Sequence, residues 1–489
     1  MTGLTSLTAI TADELAAATG GKLLLRGTRR IRGGAVDSRR VAPGSLFVAL
    51  PGDRTDGHRY LRDAVVAGAA ALLISRLPDE DAGEPALGDL GDITVVLVAE
   101  TLRALHAIAA TWRRRFTPLV VGITGSIAKT STKEAVAAVL AQGFATLKSE
   151  GNRNNEVGLP LTVLDLGPEH EALVLEMGMY AAGEIRDLAA IARPSIGIVT
   201  AVAPVHLSRM GTIEAIENAK AELVEGLPSA ADGGVAILNA DDPRVRRMAG
   251  RTSARVVTYG FAQDADVRAE AVVSAGFAGM RFRLVTPAGS RDVAIAALGR
   301  LAVHNALAGA ATGLAAGMTL DAIIPGLIAG GAAPHRSVVI PVGGLTIVDD
   351  AYNASPGSMG AALDLLAGLP GRHVAVLGEM RELGSEHDAG HRAVGEAAAA
   401  ALDLLVVVDA APAGQTPAGA AYGIIAGALA AGLSEAAIVA APDAGAVVKL
   451  LVPLLARGDV VLVKASRGVE LERVVDELVD ALGGREDGV

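Results

Sequence analysis

Gly122-Ile-Thr-Gly-Ser-Ile-Ala-Lys129-Thr-Ser131 decides how this chain reads. An apolar run, 118–121, precedes it, and a helix-favouring run, 133–142, follows. That strand–loop–helix context lets backbone N–H groups and a helix N-terminus cradle phosphates. Lys129 then lies over the terminal phosphates and Thr130 on Mg²⁺. Ala128 departs from the pattern, which has glycine before the lysine. If that position needs a positive φ, alanine is strained there by about 1 kcal/mol or more, and its methyl crowds the phosphate. For this segment alone, the competing reading is a tight strand-to-helix turn with no ligand.

Outward from the loop, apolar runs at 172–177, 196–202 and 235–239 alternate with helix-favouring stretches at 183–192 and 212–226. Such alternation implies a parallel sheet with helices on both faces. Residues 267–297 read as antiparallel hairpins added to that sheet, followed by helices at 301–316 and 320–328, with 330–334 as a linker. A further alternating unit runs from Val338, with strands near 374–377, 404–408 and 460–463. In front, 46–50 and 70–74 read as short strands around a helix at 61–67. The fold class is α/β in three domains, bounded at 1–108, 109–331 and 332–489. The first is a small mixed domain, the second carries the phosphate loop on a parallel sheet, and the third is Rossmann-like.

Length and composition agree. At 489 residues, about 150 per domain gives roughly three. Hydrophobic residues make up 51% and aromatic ones 2%, so the cores rest on Ala, Val, Leu and Ile. Few aromatics and a net charge of −11 argue against a nucleic-acid partner. The basic run 113–115 reads as a solvated element end. With no cysteine, thiolate chemistry is excluded and any metal needs oxygen or nitrogen ligands. No secretory pattern opens the chain, which points to the cytoplasm. The Ala/Gly-rich runs 397–402 and 418–433 fit buried helices better than membrane spans.

Chemistry-bearing residues recur at strand ends. Glu150-Gly-Asn-Arg-Asn-Asn-Glu-Val-Gly-Leu-Pro160 sets polar residues between apolar runs. Glu176 closes a strand at the sheet edge where α/β folds place ligands. His206 follows another strand end, and Lys220 lies in a helical Asn-Ala-Lys-Ala-Glu. Taken singly, each has a plain alternative: a capped strand end, a satisfied loop histidine, a solvated lysine.

In order and spacing these segments resemble the Mur ligases, the ATP-dependent amide-bond-forming enzymes of peptidoglycan precursor synthesis. The resemblance continues through Asn239-Ala-Asp-Asp-Pro243, His304-Asn305, Pro334-His-Arg336 and Asp349-Asp-Ala-Tyr-Asn-Ala-Ser-Pro356. It closes with Leu377-Gly-Glu-Met-Arg-Glu-Leu-Gly384, His391-Arg-Ala-Val-Gly395 and Lys464-Ala-Ser-Arg-Gly468. At the front, Asp37-Ser-Arg39, Pro43 to Gly52 and Asp56-Gly-His58 are similar to the family's uridine-nucleotide domain. The third-domain motifs are most similar to members that add D-alanyl-D-alanine, and the Asp-Asn-Pro-Arg signature of the diaminopimelate- or lysine-adding members is absent there.

The resemblance implies ATP and Mg²⁺ (or Mn²⁺) as cofactors, with UDP-N-acetylmuramoyl-tripeptide and D-alanyl-D-alanine as substrates. It implies no nucleic acid, no membrane insertion and a monomer. Lys129, Glu176, His206, Lys220 and Arg336 become the catalytic set. Gly122, Thr124, Gly125, Ser126, Ile127, Ala128, Lys129, Thr130 and Ser131 become the phosphate cradle. Asn305 is the expected adenine contact, Arg336 the phosphate contact and Asp350 the ribose contact. Thr130, Glu176, His206 and a carbamylated Lys220 are the expected metal holders. Ser38, Arg39 and Asn155 fall on the UDP-sugar side and Ser466 near the acceptor. Because Asp350 belongs to the third domain, domain closure over ATP is expected. Departures are Ala128, Thr200-Ala-Val-Ala203 before the histidine, and Ala465. The competing readings are a related amide ligase with another acceptor, and a nucleotide-binding scaffold in which Ala128 has disabled turnover.

Overall fold

The computed structural model describes residues 8–52, 55–205, 207–330, 333–408 and 421–484. Among these residues the strands form three sheets, one after another along the chain. The first has five strands in the order Lys22–Leu25, Thr94–Leu97, Ala71–Ile74, Leu46–Val48, Gly34–Ala35, all parallel except the Lys22–Leu25 edge. In the second, Thr146–Lys148, Ala172–Glu176, Leu119–Thr124, Ile196–Val199, Val235–Asn239, Arg255–Gly260 and Val267–Ser274 lie parallel. Met280–Thr286 and Gly289–Ile295 then extend it as an antiparallel hairpin. The third runs Val338–Val342, Leu345–Asp349, Asp459–Lys464, Arg372–Gly378, Leu404–Val408, Ile438–Ala441.

The near-continuous apolar strands follow from burial on both faces. In Ala172–Glu176, Leu173 and Leu175 enter one core cluster while Ala172 and Val174 enter another on the opposite face. Arg372–Gly378 repeats the device, with Ala375 and Leu377 on one side and Val374 and Val376 on the other.

Register then sets the site. Glu176 pairs with Ile123 on the strand that feeds the phosphate loop, and Val199 pairs with Thr124 and Leu238. Glu176, Thr200 and Asn239 therefore gather where the parallel strands end. In the third sheet Asp349 pairs with Val463, which sets Asp350 beside Lys464.

Several expectations are corrected. The strand expected at 196–202 ends at Val199, because the Thr200 hydroxyl turns back to donate to Ile127 O (2.6 Å) and Thr124 O (3.3 Å). The helix after the loop starts at Lys129, four residues before the expected run. The unit from Val338 opens with an antiparallel hairpin rather than an alternating strand and helix. Gly343 and Gly344, at φ 58° and 76°, supply the two positive-φ positions that a two-residue hairpin turn needs. Arg113 is no solvated end: it is buried, its guanidinium donating to Ala192 O and Phe116 O at 2.8 Å. Part of the linker (331–332) and of the run at 418–433 (418–420) lies outside the described residues. Within the latter run Tyr422–Ala430 is helical, and 397–401 ends the helix His387–Ala401. Among the described residues no helix is long and apolar enough to cross a membrane.

Candidate active site

The phosphate loop is held by its neighbours. Gly125 sits at φ 153°, and a Cβ built there would lie 1.8 Å from Thr200 Oγ1, so only glycine fits. Ser126 is tied to the 201–203 segment: its N–H donates to Ala201 O, its hydroxyl to Ala203 O, and it accepts from Ala203 N. Asn239 Nδ2 secures that segment by donating to Thr200 O at 2.7 Å. Ala128 occupies the helix N-cap position at φ 65°, ψ 7°. The position does need the left-handed region, where an L side chain is strained. The Lys129 ammonium folds back on Gly125 O at 2.8 Å. Burial pulls its pKa down, opposed by the Glu176 carboxylate and reinforced by Arg336.

Below the loop, Glu176 is buried and both its oxygens are engaged. Thr130 Oγ1 donates to Oε2 at 2.9 Å, and Asn154 Nδ2 donates to Oε1 at 2.8 Å. Asn154 is itself fixed, since Gly178 N donates to its carbonyl at 2.7 Å. Lys220, on the helix Ile213–Glu225, is buried rather than solvated, and among the described residues nothing accepts a hydrogen bond from its amine. Burial first, and the Lys129 charge second, push its pKa well below the ordinary lysine value. His206 lies outside the described residues.

Two cavities meet at the loop. A polar cleft of about 410 Å³ is lined by Ser126, Ile127, Ala128, Lys129, Thr130, Asn154, Asn155, Glu176, Lys220, Arg336, Tyr352 and Ser466. A larger cavity of about 830 Å³ is lined by Ile127, Ala128, Ser131, His304, Asn305, Arg336, Asp350 and Lys464, with apolar walls such as Leu298 and Leu365. Ile127, Ala128 and Arg336 border both. Asn305 Oδ1 accepts from Thr132 on the helix after the loop (2.9 Å). Asp350 accepts from Lys464 Nζ at 2.6 Å and from Ser337 N at 3.2 Å, and Lys464 also donates to Asn353 O. Arg336 lies over the Tyr352 ring at 4.4 Å, and its buried Nε has no partner among the described residues.

Of the expected residues, the structure thus brings together the loop with Glu176, Lys220, Asn155, Arg336, Ser466, Asn305 and Asp350. Gly122, Thr124 and Gly125 lie behind the cleft and shape it. Asn155 spends its carboxamide oxygen on the N–H groups of Val157 and Gly158, opening the helix Gly158–Leu164. Ser38 and Arg39 line neither cavity: Arg39 is exposed and paired with Asp37, whose carboxyl it holds at about 2. Sequence reasoning passed over Asn154, Thr200, Tyr352 and Lys464, each of which stood inside or beside a quoted motif.

Glu176 and Thr130 offer a carboxylate and a hydroxyl oxygen at one point beside Lys129, a donor set that suits a hard divalent ion such as Mg²⁺. Among the described residues no cluster of three His, Asp or Glu side chains supplies another metal site.

Comparison with known proteins identifies the family. Residues 30–113 match the model described as Mur ligase family, catalytic domain; 123–313 match the Mur ligase middle domain; 335–467 match the Mur ligase, glutamate ligase domain. The UDP-N-acetylmuramoyl-tripeptide–D-alanyl-D-alanine ligase of Escherichia coli K12 is 40% identical over 369 residues, 75% of this chain and 78% of that one. A crystal structure of MurF from Acinetobacter baumannii superposes with a TM-score of 0.83 at 28% identity, over 96% of this chain and 99% of that one. MurF from Thermotoga maritima in complex with ADP gives 0.77 at 29%, over 92% and 98%.

Proposed function

The chain belongs to the Mur ligase family, and we propose that it joins D-alanyl-D-alanine to UDP-N-acetylmuramoyl-tripeptide at the expense of ATP. One observation carries the reading: the large cavity and the polar cleft meet at Ile127, Ala128 and Arg336. A nucleotide in the first presents its terminal phosphate to an acceptor in the second. The name of the Escherichia coli relative supplies the substrates, and the ADP complex of the Thermotoga maritima relative supports the nucleotide.

In this reading residues 1–108 bind the UDP-sugar through Ser38 and Arg39, 109–331 bind ATP, and 332–489 bring the acceptor and close over the nucleotide. Three sheets and three family models support the division. Both cavities are formed by this single chain, consistent with a monomer, and we assign it to the cytoplasm, where the nucleotide-linked precursor would be met.

The terminal carboxylate of the tripeptide attacks the γ-phosphorus, and the bond from that phosphorus to the bridging oxygen of ADP breaks. The amine of D-alanyl-D-alanine then attacks the acyl carbon; phosphate leaves, and the amine loses a proton as the amide forms. Two anions must approach in line, so the protein's part is positioning and charge. Lys129 leaves Gly125 O for the phosphate oxygens, and Arg336 brings its guanidinium from the opposite wall. Thr130 and Glu176, with His206, would hold Mg²⁺, which supplies positive charge to the phosphoryl oxygens. Asn154 keeps the Glu176 carboxylate facing that point. Lys220 would serve as a carbamate: its depressed pKa favours the neutral amine, the form that adds to carbon dioxide with loss of a proton. Asn305 and Asp350 would hold adenine and ribose, and Ser466 the acceptor.

Phosphate release from ATP and UDP-N-acetylmuramoyl-tripeptide, measured with and without D-alanyl-D-alanine, tests the proposal. Release is expected to require the dipeptide; release that ignores it sinks the reading.

A further inference from the structure

The polar cleft contains several cations, and most have an evident occupation. Lys129 rests on Gly125 O, Arg381 pairs with Glu379 at 2.8 Å, and Arg336 faces the junction of the two cavities. Arg467 is different. It lines the cleft next to Ser466, is exposed, and among the described residues makes no ion pair with a carboxylate. Its guanidinium lies over the Tyr352 ring at 5.5 Å, the same ring that carries Arg336 at 4.4 Å. Two like charges on one aromatic ring are tolerated because the π-face attracts both, but the arrangement leaves positive charge seeking an anion.

Resting on the reading above, we infer that Arg467 is the carboxylate anchor for the acceptor dipeptide. With both guanidinium carbons over one ring, they lie within about 10 Å of each other. Arg336 marks the transferring phosphoryl group, so the acyl carbon that follows it is near that end. An extended dipeptide spans about 7 Å from amine to carboxylate, and a single amino acid about 3.5 Å. The extended dipeptide thus has the reach to set its amine at the acyl carbon with its carboxylate on Arg467. Tyr352 fixes the plane of the guanidinium and so presents its paired N–H donors to a carboxylate. Ser466 is held from the other side, its hydroxyl accepting from Arg381 N at 2.9 Å, so the wall beside Arg467 is rigid.

The test compares D-alanyl-D-alanine with its C-terminal carboxamide, using wild type, Arg467→Met and Arg467→Lys. Wild type is expected to show a KM for the carboxamide about ten- to a hundredfold above that for the dipeptide, the usual range for losing a charge-assisted bond. R467M should raise the dipeptide KM by a similar factor and erase the preference over the carboxamide, while R467K restores part of both. The KM for ATP and the affinity for ADP should stay at the wild-type values. The inference is overturned if wild type accepts the carboxamide equally, or if R467M leaves the dipeptide KM unchanged. It is also overturned if R467M weakens ATP instead, which would make Arg467 a phosphate contact. Dipeptide-dependent turnover in wild type upholds the function whatever R467M does; its absence removes both.

Discussion

Replacing Ala128 by glycine probes how the phosphate loop accommodates its departure from the family pattern. At φ 65° and ψ 7°, the alanine Cβ crowds the backbone at a cost of about 1–2 kcal/mol. Glycine removes that strain but gives the unfolded chain more freedom, which offsets about 0.4–1 kcal/mol. The difference makes Ala128→Gly more stable by about 0.5–1 kcal/mol, or roughly 1–4 °C in Tm for a domain of this size. Thermal melts without nucleotide and with ADP provide the measurement. ADP at about 100 times its Kd should add about 2.7 kcal/mol to both proteins, because Lys129 and Arg336 are untouched. Ala128→Val supplies the opposite sign, since branching at Cβ makes positive φ costlier still. An Ala128→Gly protein that melts below wild type, or that loses its response to ADP, would refute the strain argument. It would show that the methyl contributes packing or phosphate contact worth more than the strain it causes.

Three other outcomes are expected. Gly125→Ala drives a methyl into the Thr200 hydroxyl, so the loop cannot close and the ADP-induced rise in Tm disappears. Asn154→Ala removes a bond to a buried carboxylate, which is worth about 1.5–3 kcal/mol; kcat should fall by about one to two orders of magnitude while ADP affinity, measured by calorimetry, holds. Partial desolvation raises the carboxyl of Asp165, an exposed residue, to about 6, against the pull of Arg153. The folded state then binds the extra proton, so stability is lost as pH rises from about 4 to 6 and the penalty is full above that. The side chain is 41% exposed, and screening leaves about 1 kcal/mol. Asp165→Asn should therefore raise Tm at pH 7.5 and have no effect at pH 3.5.

Motif and periodicity carried the central part of the molecule a long way. The strand before Gly122, the helix after it and the strand ending at Glu176 are all local features, written in apolar runs and punctuation. What stayed hidden was decided by partners distant in sequence. Thr200 ends its strand because Ile127 O and Thr124 O, more than 70 residues back, take its hydroxyl. Arg113 is buried because Ala192 O accepts from it. Lys464 matters because Asp350 follows the end of the neighbouring strand, 114 residues earlier. The hairpin at Val338 is a miss of another kind. Gly343-Gly344 is a strong local turn signal, and the expectation of alternating strands and helices overrode it.

The electrostatics of the site explain why so many of its charges come from different parts of the chain. Lys129 and Lys220 belong to the central sheet and its helices, while Arg336 and Lys464 come from the segments that follow. Glu176 and Asp350 lie among them, engaged by neutral donors and by Lys464 respectively. Burial depresses the pKa of all three lysines, and like charge lowers each further: Arg336 acts on Lys129 and Lys464, and Lys129 on Lys220. Where the two cavities meet, Arg336 and Lys129 therefore repel each other when no ligand lies between them. A polyphosphate reverses the balance, since each anionic oxygen converts a repulsion between the two walls into a shared attraction, stronger in a dry site than in water. The affinity for nucleotide and the closing of the walls over it thus have one cause, and a wall that lost Arg336 would weaken both together.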